Sequence, residues 1–178
     1  MTNDQTAVQA GPDATHFRVA MGLFPTGVAI ITSGKSDDLH VVTANSVTSI
    51  SLDPPLVLVS IRSDGKIRRT IEEDGVFSVS VLSVDQEPLS ARFARKDRPS
   101  GRDALELLGG RTGMTGTALV ADALASLECV LDTQYVGGDH ILFLGRVVAI
   151  HDGESDRKPL VTHRGKYMSI LPPSDADT

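Results

Sequence analysis

The sequence predicts a mainly β domain, an antiparallel barrel with a few short flanking helices. Three observations support this fold class. About seven segments are rich in β-branched residues, and short polar turns join most of them, as in antiparallel sheets. Only two or three helical patterns interrupt these segments. The first half also lacks the alternation of strands with helices of about 10–15 residues that a dinucleotide-binding α/β fold requires.

The first predicted elements are a helix and a β-hairpin. From Thr15, the expected N-cap, apolar residues recur at helical spacing until Pro25 ends the pattern. The segments 28–33 and 39–45 are rich in β-branched residues, and the polar turn 34–38 lies between them. This arrangement predicts a β-hairpin.

A strand, a short helix and another strand follow. Residues 56–61 are predicted as a strand, because the Pro-Pro pair before them disfavours a helix. Residues 65–73 have the apolar spacing of a short helix, and Gly75 stands where a C-cap belongs. Residues 76–82 are again apolar and β-branched, which predicts the next strand.

The middle of the chain combines a helix start with a glycine-rich segment. Ser83 and Gln86 have the spacing of a capping box, which opens a helix that continues into the cationic segment 92–98. Residues 99–117 contain five glycines. We therefore expect a loop there, with one helical turn at 103–108.

Two long strands are predicted near the end of the domain. Residues 127–135 alternate, so that Cys129 faces inward as a small buried residue and Glu128 belongs to a solvated face. Residues 141–150 are apolar on both faces apart from Arg146. A second copy of the chain is expected to cover the outer face, which predicts a homodimer.

Composition indicates one globular domain and excludes several classes of partner. The chain has 178 residues, of which 40% are hydrophobic, and a formal net charge of −6. One core is usual at this length, and an acidic chain lacks the basic surface that nucleic acid and anionic membranes bind. Its single cysteine excludes an internal disulfide and a multi-cysteine metal site.

The ends of the sequence are polar and contain no targeting signal. No apolar run approaches the ~20 residues of a membrane helix, and the first residues lack the basic start and apolar stretch of a signal peptide. We therefore expect a cytoplasmic protein with no membrane partner. Its folded domain is expected at 15–171, between flexible tails at 1–14 and 172–178.

Several common cofactor and metal motifs are absent from the sequence. Gly34-Lys35-Ser36 resembles the end of a phosphate loop, but Ala29 stands where its first glycine belongs. No GxGxxG follows a predicted strand, no HExxH occurs, and the five histidines lack metal-ligand spacing. A nucleoside triphosphate site and a metal site are therefore not expected.

The segment from Thr43 to Ser51 is polar although apolar strands flank it on both sides. Its small side chains allow a planar ligand to approach the backbone. Its hydroxyl and amide groups supply the donors and acceptors that the edge of a flavin requires. On composition alone, a turn that satisfies its own hydrogen bonds is the more frequent alternative, and it stays open.

The segment from Ser60 to Lys66 joins a strand end to a helix start. Backbone N–H groups at a helix N-terminus bind phosphate, and Arg62 and Lys66 add positive charge to an otherwise acidic chain. An ordinary capped helix with two solvated cations is the alternative here.

Seven segments of the chain, taken in order, form a recognisable pattern. They are residues 24–28, 43–57, 93–97, 123–129, 137–147, 159–161 and 164–167. Each is weak alone, but their order and spacing are specific and extend over residues 16–171. Together they resemble the flavin reductase-like family, the small reductase components of two-component flavin monooxygenases.

The resemblance implies a split β-barrel of the FMN-binding type that forms a homodimer. It implies that the protein binds FAD or FMN and reduces it with NADH or NADPH. It also implies that the flavin is a diffusible substrate, which leaves in its reduced form to serve a flavin-dependent monooxygenase.

The resemblance also assigns roles to individual residues. Pro25, Thr26, Gly27 and Val28, together with Thr43, Ala44, Asn45 and Ser46, would face the isoalloxazine ring. Ser60, Ile61, Arg62, Ser63 and Lys66 would hold the ribityl phosphate region, and Arg92 and Phe93 would lie near the rest of the flavin. His140, the candidate catalytic residue, and Tyr167 would meet the nicotinamide. Segment 98–113 matches no family pattern, so the binding of either adenine end stays open.

Two other functions fit the same fold. One is a flavin-binding or flavin-carrying module without catalysis. The other is a split-barrel oxidase of the pyridoxamine-phosphate-oxidase type. Tightly held flavin without NAD(P)H turnover would favour either of them. The residues do not distinguish FAD from FMN or NADH from NADPH, and they do not identify the oxygenase.

Overall fold

The first helix begins one residue before the predicted N-cap. The computed structural model describes residues 11–154 and 156–170, so the predicted C-terminal tail and most of the N-terminal tail lie outside the described residues. Helix α1 covers Ala14–Met21, and its N-cap is Asp13. The Asp13 carboxylate accepts hydrogen bonds from the N–H groups of Thr15 and His16 at 2.8 and 2.9 Å. Asp13 therefore replaces Thr15 as the cap.

The described residues form a mainly β structure with short helices. The helices are α1, α2 (Lys66–Asp74), α3 (Glu87–Ala94) and α4 (Gly101–Leu107). The strands are β1 (Thr26–Gly27), β2 (Ala29–Ser33), β3 (His40–Ala44), β4 (Val47–Leu52), β5 (Pro55–Arg62), β6 (Val76–Val81), β7 (Arg111–Thr112), β8 (Ala118–Leu119), β9 (Ala125–Gly137), β10 (His140–Asp152), β11 (Leu160–His163) and β12 (Lys166–Ser169). Over the described ranges, no helix is long and apolar enough to span a membrane.

Seven strands form one antiparallel sheet in the order β3-β2-β6-β9-β10-β5-β4. The predicted hairpin is its β2–β3 pair, with Ile31 opposite Val42 in the ladder. β1, β11 and β12 form a smaller sheet, and β7 pairs with β8. The chain thus builds one large antiparallel sheet, as the sequence predicts.

The large sheet curls so that its two edge strands approach each other at one end. β3 and β4 lie at opposite edges, yet only Asn45 and Ser46 connect them. Two linking residues reach about 11 Å, whereas a flat sheet of this many strands is about 29 Å wide. Ser46 Oγ donates a hydrogen bond to the carbonyl of Ser60, and the Ser60 N–H donates to the carbonyl of Ser46. β3 and β4 share no ladder among the described strands, so the barrel is split, which confirms the predicted fold class.

Two apolar cores lie on opposite sides of β2. Successive residues of a strand point to opposite faces, so Ile30 enters one core and Ile31 enters the other. α3 and α4 cover the first core through Phe93 and Ala104. The second core fills the inside of the curl and contains Cys129. Burial raises the pKa of the Cys129 thiol to about 12, so this residue packs as a small apolar side chain.

Glu128 in β9 is fully buried, which corrects its assignment to a solvated face. The N–H groups of Met114 and Thr115 donate to its carboxylate at 3.0 and 2.7 Å, and Thr115 Oγ1 donates at 2.6 Å. His151 Nε2 lies 2.7 Å from the same carboxylate. Burial by itself raises the pKa of Glu128, but the hydrogen bonds from Thr115, His151 and Met114 outweigh it and lower the pKa to about 2. Glu128 therefore fastens the glycine-rich segment to the sheet.

The helices around residue 100 differ from the prediction. α3 ends at Ala94, because Arg95 adopts an extended conformation with φ −76° and ψ 158°. The cations that follow Ala94 therefore lie in a loop and not on a helical face. α4 has seven residues, where a loop with one helical turn is predicted. The predicted capping box has its Gln86 hydrogen bond, in which the Ser83 N–H donates to Gln86 Oε1 at 3.0 Å.

Candidate functional site

A cleft of about 770 Å³ opens where β3, β5, β10 and the start of α2 meet. We call it the polar cleft. Nine residues that the sequence predicts for the site line this cleft: Thr43, Ala44, Asn45, Ser46, Ser60, Ile61, Arg62, Lys66 and His140. The two polar segments of the sequence therefore converge on one cavity, although separate strands carry them.

The His140 ring is held at the rim of the polar cleft. His140 begins β10 and lies opposite Arg62 in the ladder, and its Nδ1 lies 2.8 Å from Asp139 Oδ1. The N–H and Oγ of Ser63 both donate to the Asp139 carbonyl at 3.0 Å. The hydrogen bond with His140 lowers the pKa of Asp139. The other ring nitrogen, Nε2, makes no hydrogen bond within the described chain and can meet a ligand.

The positive groups at the start of α2 suit a phosphate. α2 begins at Lys66 after Gly65, and no side chain caps it, so its first N–H groups and the positive end of its dipole are open to an anion. Arg62 Nε and Nη2 each donate to the Asp64 carboxylate at 3.0 Å, and this hydrogen bonding lowers the pKa of Asp64. An incoming phosphate would share Arg62 with Asp64.

A second cavity, which we call the apolar cleft, adjoins the polar cleft. Its volume is about 1130 Å³, and Met21, Leu23, Phe24, Val47 and Leu58 are among its lining residues. Thr26 also lines it, and Thr26 Oγ1 is buried with no hydrogen-bond partner in the described chain. Asn45 and Ser46 line both clefts. The two cavities therefore adjoin at these two residues, and the unpaired hydroxyl fits a polar atom of a ligand in the apolar cleft.

Four predicted residues near β1 and α3 do not line either cleft. The side chains of Val28 and Phe93 are buried in the first core, so they do not reach either cleft, and their predicted contact with the flavin stays a prediction. Pro25 and Gly27 are exposed, and Gly27 pairs with Val161 of β11. Of this predicted turn, the structure brings only Thr26 to a cleft.

Tyr167 and Arg92 also lie outside both clefts. The Tyr167 hydroxyl lies 2.8 Å from Ser90 Oγ, and Thr43 Oγ1 donates to the Ser90 carbonyl at 2.7 Å. Tyr167 is therefore connected to the wall of the polar cleft through Ser90. Arg92 Nη1 donates to the carbonyl of Asp97 at 3.0 Å, so it contributes to the conformation of the loop after α3.

Lys96 and Arg98 line the polar cleft, although the sequence does not predict them as site residues. Their assignment to a helical face depends on α3 continuing past Ala94. Pro99 is the signal against that assignment, because the residue before a proline is disfavoured in a helix. With this proline taken into account, Arg98 would be placed in a loop.

A family model described as the flavin reductase-like domain matches residues 21–171. This range contains the start of α2 and the strands that line the two clefts. The chain belongs to the flavin reductase-like family. Its membership confirms the resemblance predicted from the sequence.

Individual relatives of this flavin reductase-like chain are similar over most of their length. An NADH-dependent FMN reductase from Streptomyces nodosus subsp. asukaensis is 51% identical over 162 residues, which cover 91% of this chain and 88% of that protein. The flavin reductase component of a bacterial two-component tryptophan halogenase has a TM-score of 0.83 at 37% identity, with 90% of this chain and 99% of that chain covered. An NADH:FAD oxidoreductase from Streptomyces globisporus, solved with NAD and FAD fragments, has a TM-score of 0.83 at 35% identity, with 92% and 96% covered.

Proposed function

We propose that the protein reduces free FAD or FMN with NADH and releases the reduced flavin to a partner monooxygenase. The observation that carries this proposal is that the polar and apolar clefts adjoin at Asn45 and Ser46, which line both of them. One ligand can therefore place a planar ring against apolar walls and a phosphate against cations. Family membership and the names of the relatives support the same activity.

The flavin would lie along both clefts. Phe24 and Leu58 offer apolar walls for the isoalloxazine ring, and the Thr26 hydroxyl and the Asn45 amide offer hydrogen bonds to its polar edge. Arg62, Lys66 and the N-terminus of α2 would bind the ribityl phosphate. FAD and FMN share the isoalloxazine ring and the ribityl phosphate, so either flavin could bind in this way.

The chain's own residues position the reactants. When bound, the flavin supplies the acceptor for a hydride from the nicotinamide C4. His140 would present Nε2 to the nicotinamide while Asp139 holds Nδ1 at 2.8 Å. Hydride transfer needs a close and aligned pair of rings, and no side chain has to act on the hydride as an acid or base.

The proposal includes turnover that depends on free flavin. Oxidation of NADH by the dialysed protein is expected to require added FAD or FMN and to saturate with it, because the flavin is a substrate. Steady-state loss of NADH absorbance, with and without flavin, measures this. A Lys66→Gln variant should raise the KM for flavin severalfold, since it loses a phosphate contact, and should leave the KM for NADH unchanged.

The rival functions give different results in the same assay. NADH oxidation that is independent of added flavin, with flavin retained through dialysis, would contradict the diffusible substrate. Retained flavin with no NADH turnover would favour a carrier. Oxygen consumption with an amine would favour the oxidase.

The proposal also includes a homodimer, because apolar side chains remain outside the barrel. Leu58 faces Leu144, and Leu142 faces Tyr135, on the outer side of the sheet. Tyr135 is 58% exposed, and on α1 Phe17 is 59% exposed. A two-fold contact would cover such a surface. Since Leu58 also lines the apolar cleft, the partner copy would help to close that cleft.

Light scattering at micromolar concentration is expected to give twice the 18.9 kDa mass of one chain. A Leu144→Glu variant is expected to be monomeric, because it places a charge in the proposed contact. Leu107→Glu, at an exposed position of α4, is the matched control and should stay dimeric. A wild-type mass near one chain would overturn the homodimer.

A cytoplasmic location is also part of the proposal. Cys129 is a free and buried thiol, which suits a reducing compartment. A partner oxygenase that uses the released flavin would then act in the same compartment.

A further inference from the structure

Cationic side chains from two separate stretches of the chain line the polar cleft. Arg62 and Lys66 come from the end of β5 and the start of α2, and Lys96 and Arg98 come from the loop after α3. Asp64 is the only carboxylate among the described lining residues, and it pairs with Arg62. The cleft is therefore positively charged in a chain whose net charge is −6, which favours a ligand with more than one anionic group.

In the loop after α3, the carboxylate of Asp97 is paired with an arginine of the same loop. Arg95 Nε and Nη2 donate to the Asp97 carboxylate at 2.8 and 3.2 Å, and Arg92 Nη1 donates to the Asp97 carbonyl at 3.0 Å. Neither of these arginines lines the cleft. Lys96 makes no ion pair with any described residue, and Arg98 donates to a backbone carbonyl, that of Arg95. Both of the cleft-lining cations in this loop therefore lack a carboxylate partner in the described structure.

The two groups of cations are close to each other. His40 lies in the polar cleft, and its pKa is lowered first by burial and then by the charges of Lys66 and Arg98, while Asp38 opposes this effect. A cation from each group therefore acts on the same imidazole. Both groups also line one cleft, so a ligand with two phosphates joined in one molecule matches their arrangement in charge.

We propose that Lys96 and Arg98 form a second phosphate subsite, which binds the adenylate phosphate of FAD and gives FAD a contact that FMN lacks. This inference rests on the proposed function, in which Arg62 and Lys66 hold the phosphate that both flavins share. Riboflavin has no phosphate, FMN has one and FAD has two. The three flavins therefore test the two subsites separately.

The test measures the Kd of riboflavin, FMN and FAD by calorimetry for the wild type and three variants. Lys96→Gln should raise the Kd of FAD about three- to tenfold, the scale of one charge-assisted contact, and leave the Kd of riboflavin and FMN unchanged. Lys66→Gln should weaken both FMN and FAD. Arg69→Gln removes an exposed cation of α2 that does not line the cleft, and it should change none of the three.

The outcomes separate this inference from the function on which it rests. Equal weakening of FMN and FAD by Lys96→Gln, or no change in either, overturns the second subsite and leaves flavin reduction standing. A rise in the KM for NADPH without any effect on FAD overturns it as well, because the subsite would then serve the nicotinamide nucleotide. A wild type that binds no flavin overturns both proposals. Lys96 is exposed, so unchanged thermal unfolding of the variant is the expected check on its fold.

Discussion

Replacing Glu128 with alanine is expected to lower the free energy of unfolding by about 3–5 kcal/mol, the range for breaking a buried charged hydrogen-bond network. The substitution removes the acceptor of the Met114 and Thr115 N–H groups and of Thr115 Oγ1. It also leaves His151 without its carboxylate partner. Urea unfolding followed by circular dichroism measures the loss.

Asp132→Ala is the matched control for this prediction. Asp132 lies on the same strand as Glu128 but is exposed, so its loss should change stability by less than about 0.5 kcal/mol. If Glu128→Ala were as stable as Asp132→Ala, the hydrogen bonds around Glu128 would contribute nothing measurable to the fold.

The same carboxylate makes stability depend on pH in a defined direction. The pKa of Glu128 is about 2 in the folded chain and 4.5 in its ordinary state. Its ionised form is favoured by folding, so its contribution of about 3 kcal/mol is complete above about pH 5 and is lost as the pH falls toward 2. Urea unfolding between pH 2 and 6 should show this slope in the wild type, and the slope should be smaller in Glu128→Ala.

His140→Ala is expected to lower kcat/KM for NADH by about 10- to 100-fold, which corresponds to about 1–3 kcal/mol for a positioning contact. The alanine variant loses the ring that Asp139 holds at the rim of the polar cleft. The Kd of the flavin should change little, because Arg62, Lys66 and the apolar cleft bind it in the proposed function. Steady-state kinetics with each substrate varied in turn makes this measurement.

Asp139→Asn provides a comparison for the His140 prediction. Asparagine keeps an acceptor for Nδ1 but not the negative charge, so its kcat/KM should fall less than that of His140→Ala. Unchanged kcat and NADH KM in His140→Ala would show that His140 is a solvated turn residue. If His140→Ala weakened only flavin binding, His140 would contact the flavin and not the nicotinamide.

Elements defined by local patterns are predictable from this sequence. The β2–β3 hairpin follows from alternating β-branched segments around a polar turn, and α2 ends at Gly75 in the left-handed conformation, with φ 66°, as its position predicts. Glu128 is the counterexample. Its burial depends on donors at Met114 and Thr115, and strand alternation contains no information about a loop that folds over the strand.

The candidate site is only partly predictable from the sequence, because some of its residues meet through the fold and not through a local pattern. The segments 43–51 and 60–66 are recognisable from their own composition, and the curl of the sheet brings residues 43–46 of the first beside the second. Lys96 and Arg98 reach the same cleft only because α3 stops at Ala94. Val28 and Phe93 show the converse case, since matching a family segment does not reveal which of its side chains point into the core.

The two-residue link between β3 and β4 limits how such a molecule can change over evolution. Asn45 and Ser46 join the two edges of the sheet and also form the boundary between the two clefts. An insertion or deletion there would move the barrel edges and the ligand site at the same time, so few length variants would keep both intact. New ligand preferences can arise more readily in the loop at 95–100, whose hydrogen bonds are mostly internal. If the loop forms the proposed phosphate subsite, selection there would alter which nucleotide is held without disturbing the barrel.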